Sequence, residues 1–389
     1  MRALVTVLVA FVVSGVAGST AHGFGMATGE HAAITKWAIA CTGSSEPCFR
    51  GRSARMLHGG LGSPGAVGAP DTRESSDPAA HCDDADFLSD PKDAARAPIG
   101  PYPHDLADAL HRWSECRRHL AASMNGAVTA ARRLLDKEGE LDAEQVEISP
   151  LCIAIVPGGR LDPELQSAKC RVIERFGRVL HGAQDFHSHS NWNDGLEAAP
   201  YTPEQPPGLA MGPRVLPVLL DFTVRRGSGL PPLAVPAGLT GGCFTLLELL
   251  PGEQPSFSRC QGRITHEGLS KDRGTIDATA RTIADPKTAR GMRNGNFEAA
   301  VLGAIYETRR QLTDLSRRLL DEYGIVRGSR MVCAITEDDP LAVGARGCRE
   351  RILRCSNPPP GAGRAAQPRC RWFNRARDRR GPRPPRPLR

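Results

Sequence analysis

The sequence predicts a mainly α-helical protein with long loops tied by disulfides. Three observations carry that expectation. Four segments repeat apolar residues at helical spacing. The stretches between them are rich in glycine, proline and serine. Twelve cysteines are spread along 389 residues with no C-x-x-C pair, which suits a disulfide framework and excludes a zinc ribbon.

The elements follow in chain order. Residues 1–21, MRALVTVLVAFVVSGVAGSTA, carry one charge (Arg2), an apolar run to about Val13 and small residues up to Ser19-Thr20-Ala21. That is the pattern of a signal peptide, so a secreted chain starting at about His22 is expected. An uncleaved anchor is the alternative, but the run is short against the ~20 residues that span a bilayer. No later segment is apolar enough to span, so no transmembrane segment is expected in the mature chain. GEHAAITKWAIAC (29–41) reads as a helix behind a Thr28 cap. Residues 105–139 form a long amphipathic run. DPELQSAKCRVIERFGRVLHGAQDF (162–186) has an apolar stripe of Val172, Ile173, Phe176, Val179 and Leu180, and is expected to end near Phe186. The helix 296–324 stops at a glycine. Between these lie loops at Gly51–Asp77 and Tyr201–Ser258. The apolar runs Val215–Phe222 and Cys243–Leu250 in the second loop read as short strands or buried loop segments.

The expected domain plan is one helical domain over 22–355, with two smaller ones as the alternative. Residues 356–389 hold ten arginines, one aspartate and many prolines, and read as a disordered tail. The tail carries +9 of a net +7, which leaves the body slightly acidic. The basic character belongs to the tail, which could touch nucleic acid or anionic lipid, the bland alternative being a solvated extension. Neighbouring cysteines are expected to pair as 41–48, 82–116, 152–170 and 243–260.

Three of eleven histidines fall in LHGAQDFHSHSNW (180–192). His181 and Asp185 are four apart, so a helix projects both from one face toward one ion. His187 and His189 then lie on the expected exit turn. A helix end that merely tolerates histidine beside its negative dipole is the bland alternative. Further ligands would come from His81, with Asp77 four residues before it, from His31 and from His266. Asn191 and Asn193 read as turn residues or as supports for a ligand. Lys271-Asp272 reads as a salt link or loop cap.

LHGAQDFHSHSNW resembles the LHxxQDFxxHSNW signature of the Het-C and von Willebrand factor A domain-containing protein 7 group. HCDDADF (81–87), FGMATGEHAAIT (24–35) and HEGLSKD (266–272) resemble that group's other segments, in the same order over about 24–320. The chain also resembles secreted actinobacterial proteins of the CinY type. It is more distantly similar to the zinc-dependent phospholipase C and S1/P1 nuclease superfamily.

The resemblance implies a multi-helix phospholipase C/P1 nuclease-like domain holding up to three zinc ions. His181 and Asp185 would bind the first zinc with His81 and Asp77 (or Asp71). Asp185 would bridge to a second, shared with His31 and the new N-terminal amine of His22. His189 and His266 would hold the third. The enzymes carry an H-x3-[DE] pair on a late helix; the equivalent region here, RNGNFEAAVLGAIYETRR (293–310), has no histidine, and Asn296, Glu298 and Glu307 are the polar substitutes expected there. Asp77 could accept a proton from zinc-bound water. The expected activity is a phosphoesterase acting on phospholipid or nucleic acid. The alternatives are a non-enzymatic Het-C-like protein with a structural metal and a metal-free disulfide scaffold.

Overall fold

The computed structural model describes residues 29–42, 47–60, 63–85, 106–148, 152, 166–196, 204–223, 229–230, 232–236, 238–244 and 263–344. The expected signal segment, His22 and the arginine-rich tail lie outside the described residues.

The protein is mainly helical. In chain order its helices are α1 (Glu30–Ile39), α2 (Gly51–His58), α3 (Pro70–Arg73), α4 (Pro78–His81), α5 (Leu106–Ala131), α6 (Ala168–His189), α7 (His266–Leu269) and α8 (Asn296–Thr336). Strands β1 (Thr275–Asp277) and β2 (Thr282–Ala284) pair antiparallel, with Ile276 opposite Ile283. This hairpin was not expected, because its strands are three residues long and mostly polar. Val215–Phe222 forms a short 3-10 turn at 218–220 in place of a strand.

Helix α6 is the centre of the molecule. It packs between α5 and α8, and its stripe of Val172, Ile173, Phe176, Val179, Leu180, Ala183 and Phe186 is fully buried. Each such large side chain contributes roughly 1.5–3 kcal/mol by leaving water. The helix begins at Ser167, whose hydroxyl accepts from the Cys170 amide. It does not end at Phe186 but continues through His189. The polar side chains of its last turn are paired inside the protein, so nothing there favours an exit turn.

Two glycines let other segments reach the backbone of α6. A Cβ at Gly177 would lie 2.4 Å from the Ala66 carbonyl carbon, and one at Gly182 would lie 2.5 Å from the Ala80 oxygen. The chain before α3 and the short α4 therefore sit directly on α6. Helix α1 follows Gly29, which is in the left-handed region at φ 81°, and packs on α8 with Ile34, Thr35 and Ala38 buried, while its His31 faces Gln184 and Asp185 of α6. Helix α8 breaks at Gly324 (φ 79°, ψ 161°), where the sequence signals a stop, and then resumes to Thr336.

The disulfides Cys41–Cys48, Cys82–Cys116 and Cys152–Cys170 are formed as expected. Cys243 and Cys333 are also disulfide-bonded; the expected partner Cys260 lies outside the described residues. Among the described residues, no helix is long and apolar enough to cross a membrane.

Candidate metal centre

Because α6 continues to His189, its residues 181, 185 and 189 recur every four positions on one face. Three other segments bring side chains to that face. Helix α1 supplies His31, α3 and α4 with the residue pair after α4 supply Asp71, His81 and Asp83, and α7 supplies His266. Three groups result: His31, Asp71 and His181; His81, His181 and Asp185; and Asp83, His189 and His266. All of these side chains are buried.

Asp185 is the hub. Its Oδ1 lies 3.2 Å from His31 Nε2, and its Oδ2 lies 2.9 Å from His81 Nδ1 and 3.0 Å from His181 Nε2. His81 Nδ1 and His181 Nε2 are 2.9 Å apart, and Asp71 Oδ1 is 3.6 Å from His181 Nε2. In the third group, Asp83 stands 3.3 Å from His189 Nδ1 through Oδ1, and 3.3 Å from His266 Nε2 through Oδ2. Ligands at the usual zinc distances on a tetrahedron are about 3.3 Å from one another. The separations around Asp185 and around Asp83 are therefore of the size that one ion at each would need, while His181, shared by two groups, has one inward nitrogen and can serve one ion only. Both oxygens of Asp71 are buried and accept no hydrogen bond among the described residues. A buried carboxylate without donors is costly unless a cation meets it.

The ring orientations agree. Four imidazoles turn one nitrogen away from the groups, toward an atom that can only accept. His31 Nδ1 donates to Gln184 Oε1 (2.7 Å), and His181 Nδ1 to the Val67 carbonyl (2.9 Å). His81 Nε2 donates to the Glu74 carbonyl (3.3 Å), and His189 Nε2 to Asp272 Oδ1 (2.8 Å). Each outward N–H fixes a tautomer whose other nitrogen presents a lone pair inward, as metal-ligating histidines do. The Gln184 amide is itself oriented, since its NH2 donates to Thr35 Oγ1 and Thr308 Oγ1.

Without a metal, His31, His81 and His189 hold protons more tightly than a free imidazole does. Burial alone would push His81 down, but the hydrogen bond and charge of Asp185 raise it to about 9. His31 is likewise lowered by burial and raised, on balance, by Asp185. Burial works against ionised Asp185, yet His181 and His31 hold it well below the carboxylate range. Burial opposes the charged form of His189 too, and Asp272 and Asp83 raise it well above its ordinary value. Its partner Asp272 is disfavoured as a carboxylate by burial but is held at about 2 by His189. These are charged sets that a metal ion can enter by displacing protons.

Two expected site residues are placed elsewhere. Asp77 caps α4, accepting from the Ala79 amide, and its half-exposed carboxylate lies 3.7 Å from His119 Nδ1. Asp71 takes the position beside His181. His187 is two residues past Asp185 and so is turned about 200° away from it. It is buried with Nδ1 2.6 Å from Asn193 Oδ1, tight against Gly303, and burial pushes it down to about 3. Of the late-helix residues, Asn296 accepts from the Gly195 amide and Glu307 pairs with Arg310 and Gln311. Neither belongs to a group. Asn191 binds backbone at Pro207, Gly238 and Thr240, so it braces the loops instead of a ligand.

Asp83 is the residue that sequence reasoning missed, whereas Lys271 and Asp272 make the salt links expected of them, Lys271 with Asp194 at 3.0 Å and Asp272 with His189 at 2.8 Å. The run of acids after His81 was a signal for Asp83. Nothing local marked Asp272 as the partner of His189.

The fold and site thus define a mainly helical, disulfide-linked protein with three His/Asp groups able to hold metal ions. Comparison with protein-family models, curated proteins and solved structures finds no match.

Proposed function

We propose that this chain is a secreted zinc-binding protein whose His181–Asp185 centre hydrolyses phosphoesters, with phospholipid or nucleic acid as substrate class. The observation that carries the reading is the inward donor set. Imidazole nitrogens with anchored tautomers and aspartate oxygens stand 2.9–3.6 Å apart on one face of α6. Mixed nitrogen and oxygen donors suit zinc better than magnesium or calcium.

Asp71, His81, His181 and Asp185 would hold one ion. His31 and the other oxygen of Asp185 would hold a second, joined under the superfamily resemblance by the amine of His22. Asp83, His189 and His266 would hold a third. Zinc supplies an acidified water and polarises phosphoryl oxygens. The chain's own part is to keep the carboxylates ionised and to exclude bulk water. Asp185 joins two neighbouring groups through its two oxygens. Asp71 takes over the proton-accepting role expected of Asp77, because its carboxylate faces the imidazoles. The helical architecture and the four resembling segments support a phospholipase C/P1 nuclease-like relationship.

A specific observation favours a second reading. No donor residue of the three groups is more than 6% exposed. Closed burial of this kind suits a structural metal site in a non-enzymatic protein. Metal analysis of the purified protein, paired with assays on bis(p-nitrophenyl) phosphate, phosphatidylcholine vesicles and single-stranded DNA, separates the two. Bound zinc with chelator-sensitive hydrolysis supports the phosphoesterase. Bound zinc with no hydrolysis supports the structural reading.

A further inference from the structure

We infer that the Cys82–Cys116 disulfide is the positioning element of the metal centre, holding ligands of two different groups in place. The inference rests on the metal-binding reading above. His81 is the last residue of α4, Cys82 caps it, and Asp83 follows. His81 belongs to the group around Asp185, and Asp83 to the group around His189. One cysteine therefore sits between donors that face successive turns of α6.

This segment cannot hold itself. Helix α4 has four residues, too few to be stable as an isolated helix. Cys82 and Asp84 both lie in the left-handed region, at φ 56° and 63°, which side chains other than glycine rarely adopt. Backbone held in such a conformation needs outside restraint. Non-covalent restraints are present: the Phe244 amide donates to Asp84 Oδ1 (3.2 Å), Arg112 Nε lies 3.5 Å from Asp84 Oδ2, and the Gly241 amide donates to the Ala85 carbonyl (3.0 Å). Those three act downstream of both ligands; upstream, the Cys82 and Asp83 amides donate to the Pro78 carbonyl and the Ala80 carbonyl packs on Gly182, contacts that belong to the short helix itself or to its seat on α6. The bond to Cys116 acts between the two ligands. Cys116 is in the interior of α5, fully buried, and α5 is packed along α6. The disulfide thus ties the loop donors to the same rigid pair of helices that carries His181, Asp185 and His189. The other two disulfides seen in full, Cys41–Cys48 and Cys152–Cys170, have no group member adjacent to any of their cysteines.

The test compares two double variants of the full-length protein, Cys82→Ala/Cys116→Ala and Cys41→Ala/Cys48→Ala. Alanine removes the bond without leaving thiols that would bind zinc. Each protein is loaded with zinc alone, and affinity and release are followed by chelator competition. Loss of a group that orients metal ligands weakens binding by about 10- to 100-fold. That loss is expected for the first variant, with lower stoichiometry, and parent-like binding for the second. If the first variant fails to fold in chelator, it is refolded with saturating zinc. Recovery of native circular dichroism with zinc supports the positioning role, since metal then replaces the missing cross-link. Failure to recover with zinc overturns it, as does parent-like affinity and stoichiometry in the first variant. A parent protein that binds no zinc would overturn the metal reading as well, which distinguishes the two failures.

Discussion

Replacing Asp185 with asparagine removes one charge and almost no volume, so its effect isolates the electrostatics of the centre. Asp185 is fully buried and touches three imidazoles at 2.9–3.2 Å. Removing one member of a buried, hydrogen-bonded charge set costs about 3–5 kcal/mol, because the remaining charges are left uncompensated. For a domain of this size that corresponds to a fall in melting temperature of roughly 4–7 °C. This part of the loss persists in chelator, where protons replace metal. A second part appears only with zinc. Metal bound to the folded state alone adds RT ln(1 + [L]/Kd), about 2.7 kcal/mol at a hundredfold excess over Kd. Asp185 contributes to two of the proposed ion positions, so the variant should lose most of that increment. The assay is thermal unfolding of parent and Asp185→Asn, each with chelator and with zinc, beside metal analysis. His111→Ala, at an exposed position on α5, is the control. An Asp185→Asn protein with the parent's zinc content and melting temperature would refute the reasoning.

Other outcomes follow from the same geometry. Asp71→Asn should lower zinc content, whereas Asp77→Asn should leave it unchanged; metal analysis of both checks the exchange of these two aspartates. Gly182→Ala should destabilise by about 1–3 kcal/mol and weaken zinc binding, since the new methyl meets the Ala80 carbonyl one residue before His81; denaturant unfolding and chelator competition measure both effects. In chelated protein, His81 is disfavoured as a cation by burial but raised to about 9 by Asp185. Its contribution to stability, on the order of 3 kcal/mol, is full below its ordinary value of 6.5 and lost as pH rises through about 9. Zinc competes with the same protons, so zinc affinity should rise over that range while the stability of the chelated protein falls. Unfolding and zinc titrations from pH 6 to 9 read the two opposite slopes.

Much of this centre was legible because helical periodicity is a local property. His181 and Asp185 share a face by spacing alone. The end of α6 was not legible. His187, Ser188 and His189 are polar, and a polar run normally leaves the core. Here Asp83, Asp272 and Asn193 receive them inside the protein, and those partners are set by tertiary packing. The same limit explains Asp77. It stands four residues before His81, a tempting helical spacing, but α4 starts only after it and uses it as a cap. Asp71 reaches the site through a separate turn that no periodicity marks. The pairings of Cys41, Cys82 and Cys152 were legible because each bridges a short stretch of chain.

The central claim is that zinc sits among these side chains in the folded protein. Anomalous diffraction at the zinc edge, from crystals of protein expressed with zinc, tests it most directly. The account predicts peaks bounded by Asp71, His81, His181 and Asp185, beside His31 and Asp185, and between Asp83, His189 and His266. No anomalous peak at any of these positions, in crystals where the same side chains are ordered, would contradict it.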